Sequence, residues 1–145
     1  MAGFALAATA LAASPSAGED AGLYDVTGDT VIRPLAGAKG DPARGAALIS
    51  DRHRSLCTLC HGGPFPDPHL HGNLAPDLAG VGTRLSEGQI RLRVVDMKQL
   101  VPDTIMPSYA RIAEGEGIAT SWRGKPILSN AEIEDIVAYL ATLKG

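Results

Sequence analysis

The chain has 145 residues, of which 45% are hydrophobic and 4% aromatic, with a formal net charge of −3. That length supports one domain with a real core, and the negative balance argues against nucleic acid as a partner. No run of about 18 or more apolar residues occurs, so no membrane-spanning helix is expected.

Phe4 to Ala13 form a short apolar run, and Ala10-Leu11-Ala12 has the small-residue pattern of a cleavage site. No Lys or Arg precedes the run. Residues 1–13 therefore read as a truncated signal-peptide remnant, which points to export. Residues 14–39 are rich in Gly, Ala, Ser, Pro and Asp. They predict an extended N-terminal arm, with a possible short strand at Thr30 to Arg33. A folded domain over residues 40–145 then opens on Gly40-Asp41-Pro42. Asp41 can cap a helix whose first residue is Pro42, where the missing N–H costs nothing. That helix is expected to run to about Arg52.

Cys57-Thr58-Leu59-Cys60-His61 follows directly. It reads C-x-x-C-H, the attachment pattern of a c-type haem. Two thiols three positions apart can form thioethers to both vinyl groups of one porphyrin, and the adjacent imidazole can reach the iron. The motif uses both cysteines of the chain. A redox dithiol would call for a neighbouring βαβ pattern, which is absent. A structural zinc would need two more ligands, and His69 and His71 stand at H-x-H rather than the usual spacing. The expected cofactor is one covalent haem c held by Cys57 and Cys60, with His61 as the proximal ligand. A buried haem would also supply the flat apolar surface that a chain lean in aromatics lacks. Covalent attachment of haem fits an exported chain, and the periplasm is the expected location.

Gly62-Gly63-Pro64-Phe65-Pro66 ends regular structure, and the loop continues through Pro76 and Gly80 to Gly82. Ser86 and Gln89 form a capping box. Ile90, Val94, Met97 and Val101 then recur as one helical face, and Pro102 stops it. Residues 102–125 are long and irregular, which suggests cofactor wrapping. Ser129 and Glu132 form a second capping box, and Ile133, Ile136, Val137, Leu140 and Leu143 mark the buried stripe of the last helix. The fold class is all-α, three or four helices around a haem.

The sixth position of the iron has several candidates. Methionine offers a soft thioether and raises the reduction potential relative to histidine. Met106 lies in a loop before Pro107 and can point inward without breaking a helix. Met97 is the methionine alternative, but its place on an apolar helical stripe equally fits core filling. His53, His69 and His71 are the histidine competitors. A bis-histidine or open site stays in play.

The ordered motifs resemble class I cytochromes c over about Gly40 to Lys144. In that family a glycine of the first helix packs against an aromatic of the last, and Gly45 and Tyr139 match those roles. A Pro-x-Leu-x-Gly-like loop, whose proline carbonyl accepts from the haem histidine, matches Pro76-Asp77-Leu78-Ala79-Gly80. The chain is similar more narrowly to the SoxX family, the monohaem cytochrome subunits of SoxAX complexes in sulfur-oxidising bacteria. Gly40-Asp41-Pro42-Ala43-Arg44-Gly45, the haem motif with Gly63-Pro64-Phe65-Pro66, and Pro102-Asp103-Thr104-Ile105-Met106-Pro107-Ser108-Tyr109 carry the likeness. Arg123-Gly124-Lys125-Pro126-Ile127-Leu128 completes it.

This resemblance implies Cys57, Cys60, His61, Met106 and Pro76 as the haem site. It implies an electron-transfer subunit of an L-cysteine S-thiosulfotransferase, in heterodimer with a SoxA-like cytochrome. That enzyme couples thiosulfate to a cysteine of a sulfur-carrier protein, and the electrons pass on to a soluble cytochrome c. With no third cysteine the chain cannot itself bear a sulfur adduct, so it is not expected to be catalytic alone. The arm from Ala21 to Lys39, polar in composition, is a candidate to wrap the partner. The alternatives are a free periplasmic electron carrier and the haem subunit of another dehydrogenase.

Overall fold

A computed structural model describes residues 24–112 and 116–145. The signal-peptide reading and the first part of the arm lie outside the described residues. Among the described residues there are four α-helices: α1 (Pro42–Ser50), α2 (Val81–Arg84), α3 (Glu87–Asp96) and α4 (Asn130–Thr142). The expected all-α class holds, with one small addition. Two short strands, β1 (Val26–Thr27) and β2 (Thr30–Val31), pair antiparallel, with Val26 opposite Val31 and Thr27 opposite Thr30. Gly28 turns the ribbon at φ +60°, a conformation that glycine adopts without steric cost.

Helix α1 begins as its sequence dictates. The Asp41 carboxylate accepts from the main-chain N–H of Ala43 and Arg44, and Pro42 fills the first turn. Helix α1 then crosses α4 at close range. A Cβ on Gly45 would stand 2.0 Å from the Asp135 carbonyl oxygen and 2.8 Å from Tyr139 Cβ, so only glycine permits the approach. The helices are also tied by charge. Arg44 Nε and Nη2 each reach a different oxygen of Asp135 at 2.8 Å, and Asp41 N–H donates to the same carboxylate at 2.6 Å. Both anticipated capping boxes are present, Ser86 with Gln89 and Ser129 with Glu132.

Helix α3 is shorter than its apolar spacing predicts. It ends at Asp96, and Met97–Gln99 continue as a tighter 3-10 turn. Asp96 leaves helical geometry at φ −160°, and its carboxylate accepts from Lys98 N–H to start that turn. Ile90 and Val94 are buried as expected, whereas Val101 is 45% exposed, beyond the stripe's end. In α4 the stripe of Ile133, Ile136, Val137 and Leu140 is buried. The short α2 carries no sequence signal beyond the glycines around it. Gly82 lets it lie against α4, where a Cβ would meet the Ala141 carbonyl oxygen at 2.4 Å.

The described part of the arm, residues 24–39, docks on the chain's own helices. Val31 is 2% exposed. Arg91 Nη1 donates to its carbonyl at 2.8 Å, and Leu35 N–H donates to Glu134 Oε1 at 2.9 Å. Arg91 and Glu134 form a two-bond ion pair at 2.6 and 2.9 Å, each side chain 2% exposed. Two charges so placed need every remaining lone pair and proton satisfied, and the arm's main chain supplies three of those partners, the carbonyls of Val31 and Ile32 and the N–H of Leu35. Composition alone suggested a segment without a core of its own. Its anchors are main-chain groups meeting charges far away in sequence.

Candidate functional site

The attachment motif is presented by a strained turn. After α1, the Asp51 carboxylate accepts from the N–H groups of His53 and Arg54. Leu56 then takes φ +63°, a left-handed conformation uncommon for a leucine. It leads into a 3-10 turn over Cys57–Leu59. Side chains three apart in such a turn eclipse one another, which directs both thiols to one side. His61 N–H donates to Cys57 carbonyl at 2.9 Å, closing the motif on itself. Both cysteines are free thiols.

A second strip of backbone clamps the motif from outside. Gly72 N–H donates to Thr58 carbonyl at 2.9 Å, Ala75 to Cys60 at 3.0 Å, and Leu78 to Gly62 at 2.9 Å. His61 Nδ1 lies 2.7 Å from the Pro76 carbonyl oxygen. A carbonyl can only accept, so Nδ1 donates here, and Nε2 is the nitrogen left to meet a metal. That is the arrangement a metal-binding imidazole needs, with its orientation set by a main-chain acceptor.

Beneath the turn sits Tyr109, 3% exposed. Its hydroxyl donates to the Ser55 carbonyl at 2.6 Å and stands 4.0 Å from Cys57 Sγ. Burial pushes the Tyr109 phenol well above its ordinary range, and the neighbouring Cys57 adds to the rise. Burial likewise raises the Cys57 thiol, outweighing its hydrogen bonds to Ser55 and Tyr109. Composition and spacing did not single out Tyr109. Its sequence signal is its place at the end of the segment Pro102 to Tyr109 that carries the family likeness.

Met106 is partly buried and packs against the hydrophobic core. Its N–H donates to Thr104 Oγ1 at 3.2 Å. The chain after it is pinned: Ser108 Oγ donates to Asp96, and Tyr109 and Ala110 N–H reach the Val94 and Val95 carbonyls at 3.4 and 3.3 Å. Met97 is only partly buried and lies in the 3-10 turn after α3. His53 and His69 are exposed. His71 Nε2 lies 2.9 Å from the Pro66 carbonyl, with its ring 5.7 Å from that of Phe65. Among the described residues no group of three or more His, Cys, Asp or Glu side chains could hold a metal ion, so the zinc reading gains no support.

These residues fit a covalent haem. The thiols are unpaired, the imidazole offers one free nitrogen, and the flanking loops carry uncovered apolar surface. Leu56, Leu59, Leu70, Leu74, Val101, Ile105 and Trp122 are exposed, seven of the nine large apolar side chains exposed among the described residues. Six of them come from the segments that hold the motif, the loop after it and Met106, and Trp122 from the irregular stretch before α4.

The chain belongs to the cytochrome c family, whose sequence model matches residues 42–144. Membership implies covalent haem c and an electron-transfer role. Within that family the likeness is to SoxX-type monohaem cytochromes, as the motifs indicated. The chain is similar to one in a solved structure described as "Crystal structure of SoxXA from P. pantotrophus". The two are 32% identical with a TM-score of 0.76, over 84% of this chain and 95% of that one. Comparison with curated proteins gives no match. No helix among the described residues is long and apolar enough to cross a membrane.

Proposed function

We propose that the chain is the electron-transfer haem c subunit of a SoxAX-type L-cysteine S-thiosulfotransferase, working in the periplasm beside a SoxA-like cytochrome. In that reaction a carrier-protein thiol and thiosulfate join through a new sulfur–sulfur bond. The thiol proton leaves and two electrons are released. The electrons pass one at a time through this chain to a soluble cytochrome c. One bound haem c supplies the one-electron centre.

The chain's own residues attach and orient that centre. Cys57 and Cys60 would hold it from one turn. His61 would supply Nε2 while the Pro76 carbonyl keeps the Nδ1 proton, and Met106 would supply a thioether. With both cysteines in thioethers no thiol is left to carry sulfur, so the coupling centre belongs on the partner.

The observation that carries this reading beyond a generic cytochrome is the reach of the likeness. It covers 84% of the chain, more than the segment 42–144 matched by the family as a whole, and so extends into the arm ahead of α1. The test is affinity capture of the tagged holoprotein from thiosulfate-grown periplasm, with haem staining. A second haem protein should co-purify. The pair, but not this chain alone, should support thiosulfate-dependent reduction of a soluble cytochrome c in the presence of the carrier. A chain recovered alone and fully active as a carrier would return the reading to a free cytochrome.

A further inference from the structure

We infer that Asp96 is a positioning residue for the sixth iron ligand: through Ser108 its buried carboxylate holds the loop that presents Met106. The inference rests on the reading of Met106 as that ligand.

Asp96 is fully buried, at 0% exposure, where α3 gives way to the 3-10 turn. To cap that turn the carboxylate needs only Lys98 N–H, at 3.3 Å. It has four further partners: Ser108 Oγ, Gln99 Nε2 at 3.2 Å, Tyr24 hydroxyl at 3.5 Å and Arg111 Nη1 at 3.6 Å. Ser108 and Arg111 both lie just beyond Met106 in sequence. Pro107, with its fixed φ, is all that separates Met106 from Ser108. Anchoring Ser108 therefore limits where Met106 can stand.

On the side before Met106 the loop is held by polar contacts rather than by burial: Lys98 Nζ donates to the Thr104 carbonyl and Met106 N–H to Thr104 Oγ1, both at 3.2 Å. Ile105 is 75% exposed and Val101 45%, and Pro102 and Asp103 are exposed. Apolar burial contributes little there, and polar anchoring takes its place. Hydrogen bonds to a buried ionised acceptor are among the stronger ones. A neutral thioether is an exchangeable ligand. Its retention depends on how far the loop is already held in the bound position, because ordering a free loop at each binding event costs conformational entropy.

The test uses the ferric holoprotein with cyanide as the competing ligand. Asp96→Asn and Ser108→Ala should each raise cyanide affinity, by about tenfold if one charge-assisted hydrogen bond is lost. Each should also weaken the thioether-to-iron charge-transfer band at the red edge of the spectrum, while covalent haem and helix content stay unchanged. Ser108→Thr keeps the hydroxyl and should behave as the parent. Gln99→Ala removes a bond to the same carboxylate from the turn rather than from the loop, and should leave cyanide affinity unchanged. If Asp96→Asn does not accumulate as holoprotein, Ser108→Ala decides alone. Unchanged affinity in Ser108→Ala, or an equal shift in Gln99→Ala, overturns the inference. A charge-transfer band that survives Met106→Ala would instead overturn the ligand reading beneath it.

Discussion

Gly45 and Asp135 meet at the crossing of α1 and α4 with no room between them: a Cβ on Gly45 would stand 2.0 Å from the Asp135 carbonyl oxygen. That obstacle is helix backbone, which cannot rotate away as a side chain can. Gly45→Val should therefore lower the stability of the holoprotein by about 1–3 kcal/mol or more, the usual range for overpacking. Haem attachment lies on the far side of the next turn and should be retained. Thermal unfolding followed by circular dichroism, with haem staining of the same sample, checks both halves. Equal melting temperatures for variant and parent would mean that the helices do not cross here as described.

Much of the frame was legible because it rests on local rules. Asp41-Pro42, the two capping boxes and the Ile133 to Leu140 stripe each state their structure within a few residues. The haem motif is similarly self-contained. The end of α3 was not legible, because apolar spacing continued to Val101 while a polar requirement at Asp96 ended the helix first. The anchoring of the arm was not legible for a related reason. Its partners, Arg91 and Glu134, lie 60 and 99 residues away from the arm positions they bond, and no local pattern reports such a contact. Tyr109 and Ser108 were quoted in the likeness to known relatives, but their tasks depend on Ser55 and Asp96, which only the fold brings near.

Haem should be bound through both thiols. Cys57 and Cys60 lie on one 3-10 turn, and both are free. The parent should keep haem peroxidase stain on a denaturing gel. Cys57→Ala or Cys60→Ala should reduce holoprotein yield severely, and any residual product should carry a single thioether with a red-shifted reduced α-band. A parent whose cysteines both react with a thiol reagent after denaturation would contradict covalent attachment.

Met106 and Met97 should separate cleanly as ligand candidates. Met106 lies within a loop pinned by Thr104 before it and by Ser108 and Tyr109 after it, whereas Met97 belongs to the turn that closes α3. Met106→Ala should abolish the thioether charge-transfer band and lower the reduction potential, since water or a stronger donor would replace a ligand that favours the reduced iron. Met97→Ala should leave both unchanged within error and cost only packing. The opposite pattern in spectra and potentiometry would transfer the role to Met97.

Acid should destabilise the fold through three carboxylates. The hydrogen bonds from Arg44 hold Asp135 below the usual range despite burial. Burial would raise Asp96, but hydrogen bonds from Ser108 and Gln99 and the charge of Arg111 more than offset it. Burial likewise opposes the lowering of Glu132, and Arg54 with Ser129 overcomes it. Each folded-state pKa lies below its unfolded value. The unfolded chain thus binds more protons as pH falls through the carboxylate range near 4. The stabilisation is complete above that range and is lost as pH drops through the depressed folded values. Denaturant midpoints measured between pH 6 and pH 3 should fall, with a shallower slope in Asp135→Asn. A midpoint independent of pH over that interval would rule out these pairs as a source of stability.

Glu134 should be among the most costly positions to truncate. Its carboxylate pairs with Arg91 at 2.6 and 2.9 Å, and Leu35 N–H also donates to it. Glu134→Ala leaves the Arg91 guanidinium 2% exposed with only arm carbonyls beside it. Removing one member of such a pair costs about 3–5 kcal/mol because the other remains buried and uncompensated. The double variant Arg91→Met with Glu134→Leu removes both charges at similar volume and should recover much of the loss, apart from the bonds to Val31 and Leu35. Since those bonds hold the arm, the recovered protein should still show faster proteolysis within residues 24–39 than the parent, with an unchanged haem spectrum. Denaturant titration and limited proteolysis of the holoproteins measure the two effects separately. A double variant no more stable than Glu134→Ala would mean that lost packing, rather than an unpaired charge, dominates this site.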